Sequence, residues 1–294
     1  MHYTGPIFRP PVEAMLGTHL LQVTVGCAHN KCNFCTMYSS VQFTTEPMDQ
    51  IEEDIKELRN TYSNIKRIFL INGDAFVLSA KRLKAICEKI IEYIPEVEVI
   101  TMYASMNNVK NKTDEELKML RDLRVNDLWM GTETGNREAL VNINKGHTLE
   151  EAYEQLERLN KAGIRHDDGL MLGVAGHGKG IQNAIDTAKL LNETKPSIVW
   201  FGTLGLFEGS KMHKDAENGL FIPATELEIL EEELKILELL KLDNVPFYGI
   251  HPTNSSSVQG ILPRDKEKMI TQIKDFIAKA DNNFLNTAKK RYTL

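Results

Sequence analysis

Short apolar and β-branched runs recur along the chain at Leu20–Val25, Arg67–Ile71, Val97–Met102, Asp127–Met130, Gly169–Leu172 and Ile198–Thr203. Their length and their polar or glycine-containing borders read as strands. Between them the period changes. Leu83, Ile86, Cys87, Ile90, Ile91 and Ile94 fall at i, i+3 and i+4 spacing on one face of a predicted helix, with Ser79 as its N-cap. That face makes Cys87 a core residue, since a free cysteine behaves as a small hydrophobe. Thr113-x-x-Glu116 and Thr148-x-x-Glu151 are capping boxes. The first opens a helix carrying Leu117, Leu120 and Leu123. The second opens one carrying Ala152, Tyr153, Leu156 and Leu159, closed by Gly163. A third box, Thr225-x-x-Glu228, starts an amphipathic helix expected to run through Leu242.

Strand followed by helix, repeated, gives right-handed βαβ units and a parallel sheet. Six such units fall short of the eight in a closed barrel. The predicted class is therefore α/β, a partial (β/α)6 TIM-type barrel with C-terminal helical additions. Residues 1–210 are expected to form the barrel core with an N-terminal lead-in, and residues 211–294 an extension packed on it within the same domain. Pro223 and Pro246 punctuate this extension without isolating it.

Composition narrows the partners. Thirty-five basic against 41 acidic side chains give a net charge of −6, and 42% of residues are hydrophobic. That excludes low-hydrophobicity disorder and disfavours broad binding to a phosphate backbone, so nucleic acid is not the expected partner. No apolar run approaches the roughly 20 residues of a membrane helix. Gly5, Pro6, Pro10 and Pro11 interrupt the stretch a signal peptide would need, and the expectation is a cytoplasmic protein. In that reducing compartment four cysteines do not form a disulfide framework.

Three of them, Cys27, Cys32 and Cys35, form a C-x4-C-x2-C run. Three thiolates leave a tetrahedral zinc short of one ligand and a [4Fe-4S] cluster with one iron uncapped. His29 would complete a zinc site, although it lies between the first two cysteines; a fourth cysteine would complete an electron carrier, and Cys87 faces a helix core. The remaining reading is a cluster whose open iron acts on a small molecule. Zinc binding and simple electron transfer stay open as non-catalytic alternatives.

This run resembles that of the radical S-adenosylmethionine (SAM) enzymes, in which three cysteines on the loop after the first strand of a partial barrel hold a [4Fe-4S] cluster. Here too the loop follows the first strand, and Phe34 precedes the last cysteine where the family has an aromatic. The first gap is one residue longer than the commonest C-x3-C-x2-C. The resemblance implies that Cys27, Cys32 and Cys35 bind the cluster. It implies that SAM is cleaved to methionine and a 5'-deoxyadenosyl radical, which abstracts hydrogen from a small-molecule substrate. A flavodoxin or ferredoxin would supply the electron, and the chemistry would be anaerobic. Further segments look like family elements. Gly73 and Asp74 in Asn72-Gly73-Asp74-Ala75 match the turn for the methionine amino group, and Glu133 in Gly131-Thr132-Glu133-Thr134-Gly135 matches a ribose or methionine contact. Lys145 matches a partner for the methionine carboxylate, and Gly173 and Val174 an adenine contact. These elements lie just beyond strand C-termini, where parallel barrels build their sites. A tRNA-modifying member of the family is the runner-up.

Gly173-x4-Gly178-Lys179 resembles a phosphate loop, but Gly180 stands where a magnesium-binding hydroxyl belongs. Tyr38, Tyr103, Met106, His177, Glu208 and His251 are expected at the barrel mouth. Tyr103, His177, His251 and Asn254 are the substrate-side catalytic candidates, with the loop His251-Pro252-Thr253-Asn254 foremost.

Overall fold

The computed structural model describes residues 1–291. The chain divides into two compact units of interleaved segments. The first comprises Met1–Asn30, Met37–Gly131 and Glu154–His166; the second comprises Lys31–Thr36, Thr132–Tyr153 and the chain from Asp167 on.

In the first unit β1 (His19–Gln22), β2 (Arg67–Ile71), β3 (Val99–Ala104) and the start of β4 (Leu128–Glu133) run parallel in that order. Their registers pair His19 with Ile68, Arg67 with Val99 and Tyr103 with Trp129. Helices α1 (Met48–Thr61), α2 (Ala80–Tyr93) and α3 (Asp114–Asp122) follow β1, β2 and β3. Ser79 caps α2 by accepting from the Arg82 amide, and Cys87 is fully buried on its inner face. Burial pushes the Cys87 thiol up to about 12, so it is inert as a nucleophile or ligand. The expected strand Leu20–Val25 is broken. It leaves the sheet after Gln22, and Thr24–Val25 pairs antiparallel with Thr44–Thr45 in a separate ribbon. That ribbon delivers the chain to Gly26, whose φ of 80° turns it into the cysteine loop.

The beginnings of these strands are held by buried charge. The Arg67 guanidinium donates to both carboxylate oxygens of Glu13 and to Asp127, and the Trp129 indole also donates to Glu13. Glu13 has no exposed surface, and Thr18 supplies a further donor.

Helix α4 (Leu149–Ala162) opens on the Thr148–Glu151 capping box and stops at Gly163, where φ is 74°. In the second unit β5 (His166–Leu172), from Asp167 on, and β6 (Ile198–Thr203) are parallel, with Asp167 opposite Ile198. Strand β7 (Val245–Gly249) continues parallel to β6, and β8 (Val258–Leu262) returns antiparallel beside β7. The C-terminal extension is therefore not only helical. Val245, Phe247 and Gly249 alternate with half-buried Pro246 and Tyr248, a period of two that Pro246 obscures in the sequence. Leu170, Leu172, Val199, Phe201 and Phe247 pack with α5 (Gly180–Thr194), α6 (Glu226–Leu239) and α7 (Lys266–Lys279) into one core. Helix α6 ends three residues before the expected Leu242, because Leu240 is already extended. Among the described residues the main sheet has eight strands rather than six, and the fold remains α/β and a partial TIM-type barrel. Among the described residues no helix is long and apolar enough to cross a membrane.

Candidate cofactor site

Cys27 and the turn after β2 are built together within the first unit. The Gly73 amide donates to the Gly26 carbonyl (3.2 Å). A Cβ at position 73 would lie 2.5 Å from the Tyr38 ring and 3.0 Å from the Cys27 Cβ, so only glycine permits this approach. Tyr38 is buried with its ring edge-on to Phe8, and its carbonyl accepts from the Asn30 amide group. Asn72, in left-handed backbone, is anchored to the Thr24 carbonyl. Asp74 is buried and leads into a single 3-10 turn, Ala75–Val77.

Lys112 supports that turn, and nothing in the sequence distinguishes it from a surface lysine. It is only 4% exposed, donates to the Phe76 and Asn108 carbonyls, and sits 4.2 Å over the Phe76 ring. Burial pulls its ammonium down to about 8, against the opposing pull of Glu116 and Asp74.

The second unit carries the rest of the cysteine loop. Cys35 closes a turn onto the Cys32 carbonyl, the Asn33 amide donates to Ile143, and the Asn144 side chain donates to Lys31. The Met212 amide in turn donates to Asn33. Phe34 packs on an apolar cluster containing Ala139, Leu140, Ile143 and Val174, so two of the expected SAM contacts share one surface. The Lys145 ammonium lies 2.6 Å from a Glu133 oxygen and 5.9 Å from the centre of the Phe34 ring. Burial alone would lower the Lys145 pKa. Glu133 and the cysteines Cys32 and Cys35 outweigh it and hold the group above its ordinary value.

Glu133 has a φ of 63°, and the Thr134 amide donates to the Thr132 carbonyl (2.8 Å). This is a strained three-residue γ-turn, costly for a residue with a side chain. Gly135 permits close packing beside it: a Cβ there would collide with the Asp186 carbonyl oxygen of α5. The Gly173 turn has φ of 75°, and its amide donates to Glu232 of α6.

The phosphate-loop pattern is spent on other bonds. The Gly178 amide donates to Glu228, and Lys179 pairs with Glu138 at the surface. His177 is exposed and bonded to Glu228, while Glu208 is also exposed. Met106 is buried in the first unit, and Tyr103 is half-buried against the edge of Phe69, with burial raising its pKa. Asn254 is committed at both ends of its amide, accepting from the Thr203 hydroxyl and donating to the Phe201 carbonyl. His251 lies edge-on to Trp200. His251 Nδ1 accepts from the Thr253 amide and so carries no hydrogen, and Thr253 Oγ1, itself accepting from the Thr203 amide, donates its hydroxyl hydrogen to the same nitrogen. The proton of the neutral ring is thereby placed on Nε2, and burial lowers the pKa.

These donors fit a cluster and SAM. Cys27, Cys32 and Cys35 are each partly accessible and outside any disulfide, and the glycine at 73 lets the turn after β2 approach Cys27 more closely than a side chain would allow. Among the described residues no three His, Cys, Asp or Glu side chains are grouped as around a single ion; an iron–sulfur cluster spreads its cysteines over separate irons.

The sequence profile of the Radical SAM superfamily matches residues 21–191. The heme chaperone HemW of Lactococcus lactis is 32% identical over 142 residues, covering 48% of this chain and 37% of that protein. Biotin synthase of Aquifex aeolicus is 25% identical over 287 residues, covering 88% and 80%. The structure of coproporphyrinogen III oxidase (HemN) from Escherichia coli, a radical SAM enzyme, superposes with a TM-score of 0.58 at 16% identity, covering 75% of this chain and 52% of that one. The chain spans less than half the length of the HemW proteins it matches.

Proposed function

The chain belongs to the radical SAM superfamily, and from that premise we propose that it is an enzyme that abstracts hydrogen from a small-molecule substrate. Members of this superfamily use a [4Fe-4S] cluster and SAM. In this chain Cys27, Cys32 and Cys35 would hold the cluster, and Phe34, Gly73, Asp74, Glu133, Lys145, Gly173 and Val174 would bind SAM. When bound, the cluster and SAM supply one-electron cleavage of a carbon–sulfur bond and so a carbon radical.

The observation that carries this reading is the Lys145–Glu133 ion pair, whose ammonium is held charged against burial by Glu133 first and by Cys32 and Cys35 beside it. A fixed cation beside two thiols is suited to a carboxylate that binds next to a metal cluster. Glu133 restrains that cation and offers its second oxygen to hydroxyl or ammonium donors. Asp74 places a further acceptor at the turn that Gly73 brings against Cys27. Phe34, packed on the buried cluster that holds Val174, would offer an apolar face that excludes water from a bound base. His251, with Nδ1 occupied, presents Nε2–H as a donor toward a substrate acceptor. A flavodoxin- or ferredoxin-type donor completes the proposal.

Anaerobic reconstitution with iron and sulfide, reduction by dithionite and addition of SAM tests it. 5'-Deoxyadenosine is the expected product, lost in Cys32→Ala. An intact, reduced cluster that yields none would overturn the proposal.

A further inference from the structure

Glu232 has no exposed surface, although it lies in an acidic run of α6 that reads as a solvated face. Both of its oxygens accept. Oε1 receives the Asn183 side-chain amide at 2.6 Å and Oε2 receives the Gly173 backbone amide at 3.0 Å. The Asn183 carbonyl oxygen accepts in turn from the Thr134 hydroxyl, and that hydroxyl accepts from the Asn136 amide. One continuous chain of bonds therefore links the strained turn at Glu133 to the turn at Gly173. Thr187 reinforces it by accepting from the Gly135 amide. The chain also explains Gly180. A Cβ there would stand 3.1 Å from Glu232 Oε2, so the position that a phosphate loop fills with a hydroxyl is kept clear for this carboxylate.

We propose that Glu232 is a positioning residue for SAM: acting through Asn183, it holds the Glu133 and Gly173 turns in the geometry that binds the cofactor, without touching it. This rests on the reading of both turns as SAM contacts. Two oxygens without a hydrogen of their own meet two N–H donors only in the carboxylate form, which those bonds favour and burial opposes, so the variants are compared above about pH 8. Glutamine keeps the volume but turns one acceptor into a donor facing a donor, so one N–H is left buried and unsatisfied.

Two measurements test this on Glu232→Gln, with Thr134→Val, a nearly isosteric change at the far end of the chain, as second variant. In cluster-free protein, hydrogen exchange of the peptides covering residues 132–136 and 173–176 should rise together in each variant, while the peptide around Lys112 stays protected. In reconstituted protein, SAM affinity should fall about tenfold with iron and sulfide content unchanged, and the double variant should bind no more weakly than the weaker single. Arg67→Ala serves as a control that lowers stability without altering SAM affinity. Exchange that rises at only one turn, additive losses in affinity, or wild-type affinity in Glu232→Gln would each overturn the proposal. Failure of the wild-type protein itself to bind SAM would instead overturn the reading of the site, and the exchange experiment would still decide whether the two turns are coupled.

Discussion

At position 133 a glutamate occupies left-handed backbone that usually falls to glycine, and its carboxylate is met by the Lys145 ammonium. Strain of this kind persists only where the surroundings enforce it. A charge-assisted hydrogen bond contributes about 1.5–3 kcal/mol, so Glu133→Ala or Lys145→Ala should weaken SAM binding by roughly 10- to 150-fold with the cluster spectrum retained. Equilibrium dialysis of the reconstituted variants measures this, and unchanged affinity in both would remove them from the site. Gly73→Ala should act on the cluster side instead. Its methyl group would collide with Tyr38 and crowd Cys27, an overpacking worth about 1–3 kcal/mol. Lower iron content and an earlier urea transition are expected. Cys87→Ala should keep its iron, because that thiol is enclosed in the α2 core. The cysteines were legible because their chemistry is written in short spacings, and Glu133 and Lys145 became candidates because their segments resemble elements of the family. Lys112 and Glu232 were not legible. Their bonds reach carbonyl Phe76 and amide Gly173, 36 and 59 residues away, and a lysine or glutamate in a polar stretch carries no mark of burial.

The elements were easiest to read where local bonds decide them. Thr113 and Thr225 form reciprocal capping boxes with Glu116 and Glu228, and the N-terminal ends of their helices agree with the sequence pattern. Local pattern fails where a distant partner decides. Leu20–Val25 reads as one strand, yet Thr24–Val25 pairs with Thr44–Thr45, a choice no window of six residues contains. Strands β7 and β8 went unread because Pro246 interrupts one and the other does not alternate, its buried Val258 and Leu262 enclosing exposed Gln259 and half-buried Gly260 and Ile261. The buried charges at the strand beginnings are equally non-local. Removing the guanidinium in Arg67→Ala would strand Glu13 in the interior, and loss of one partner of a buried pair costs about 3–5 kcal/mol. Urea unfolding should show that loss. An effect below about 1 kcal/mol would mean that Trp129 and Thr18 suffice to hold Glu13.

Across the molecule, α6 concentrates buried acid. Burial raises Glu232 to about 8 and Glu233 to about 7 from an ordinary 4.5, while bonds from Asn183 and Gly173 to the first, and from Ser256 to the second, pull the other way. A folded-state pKa above the unfolded value means that the native protein binds more protons between the two. This contribution to stability is therefore full below about pH 4.5 and is lost as the pH rises toward about 8. Urea midpoints of the cluster-free protein should fall on this account between about pH 5.5 and 8.5, and Glu233→Gln should flatten the dependence; an identical slope in that variant would mean that Glu233 does not titrate there. Metal binding by the chain as a whole is tested most directly by electron paramagnetic resonance of anaerobically reconstituted, dithionite-reduced protein with and without SAM. The predicted result is the signal of one reduced [4Fe-4S] cluster per chain, absent from Cys32→Ala, with g values that move when SAM is added. About one zinc per chain without sulfide, or a cluster signal that SAM leaves unchanged, would contradict an open iron held by Cys27, Cys32 and Cys35.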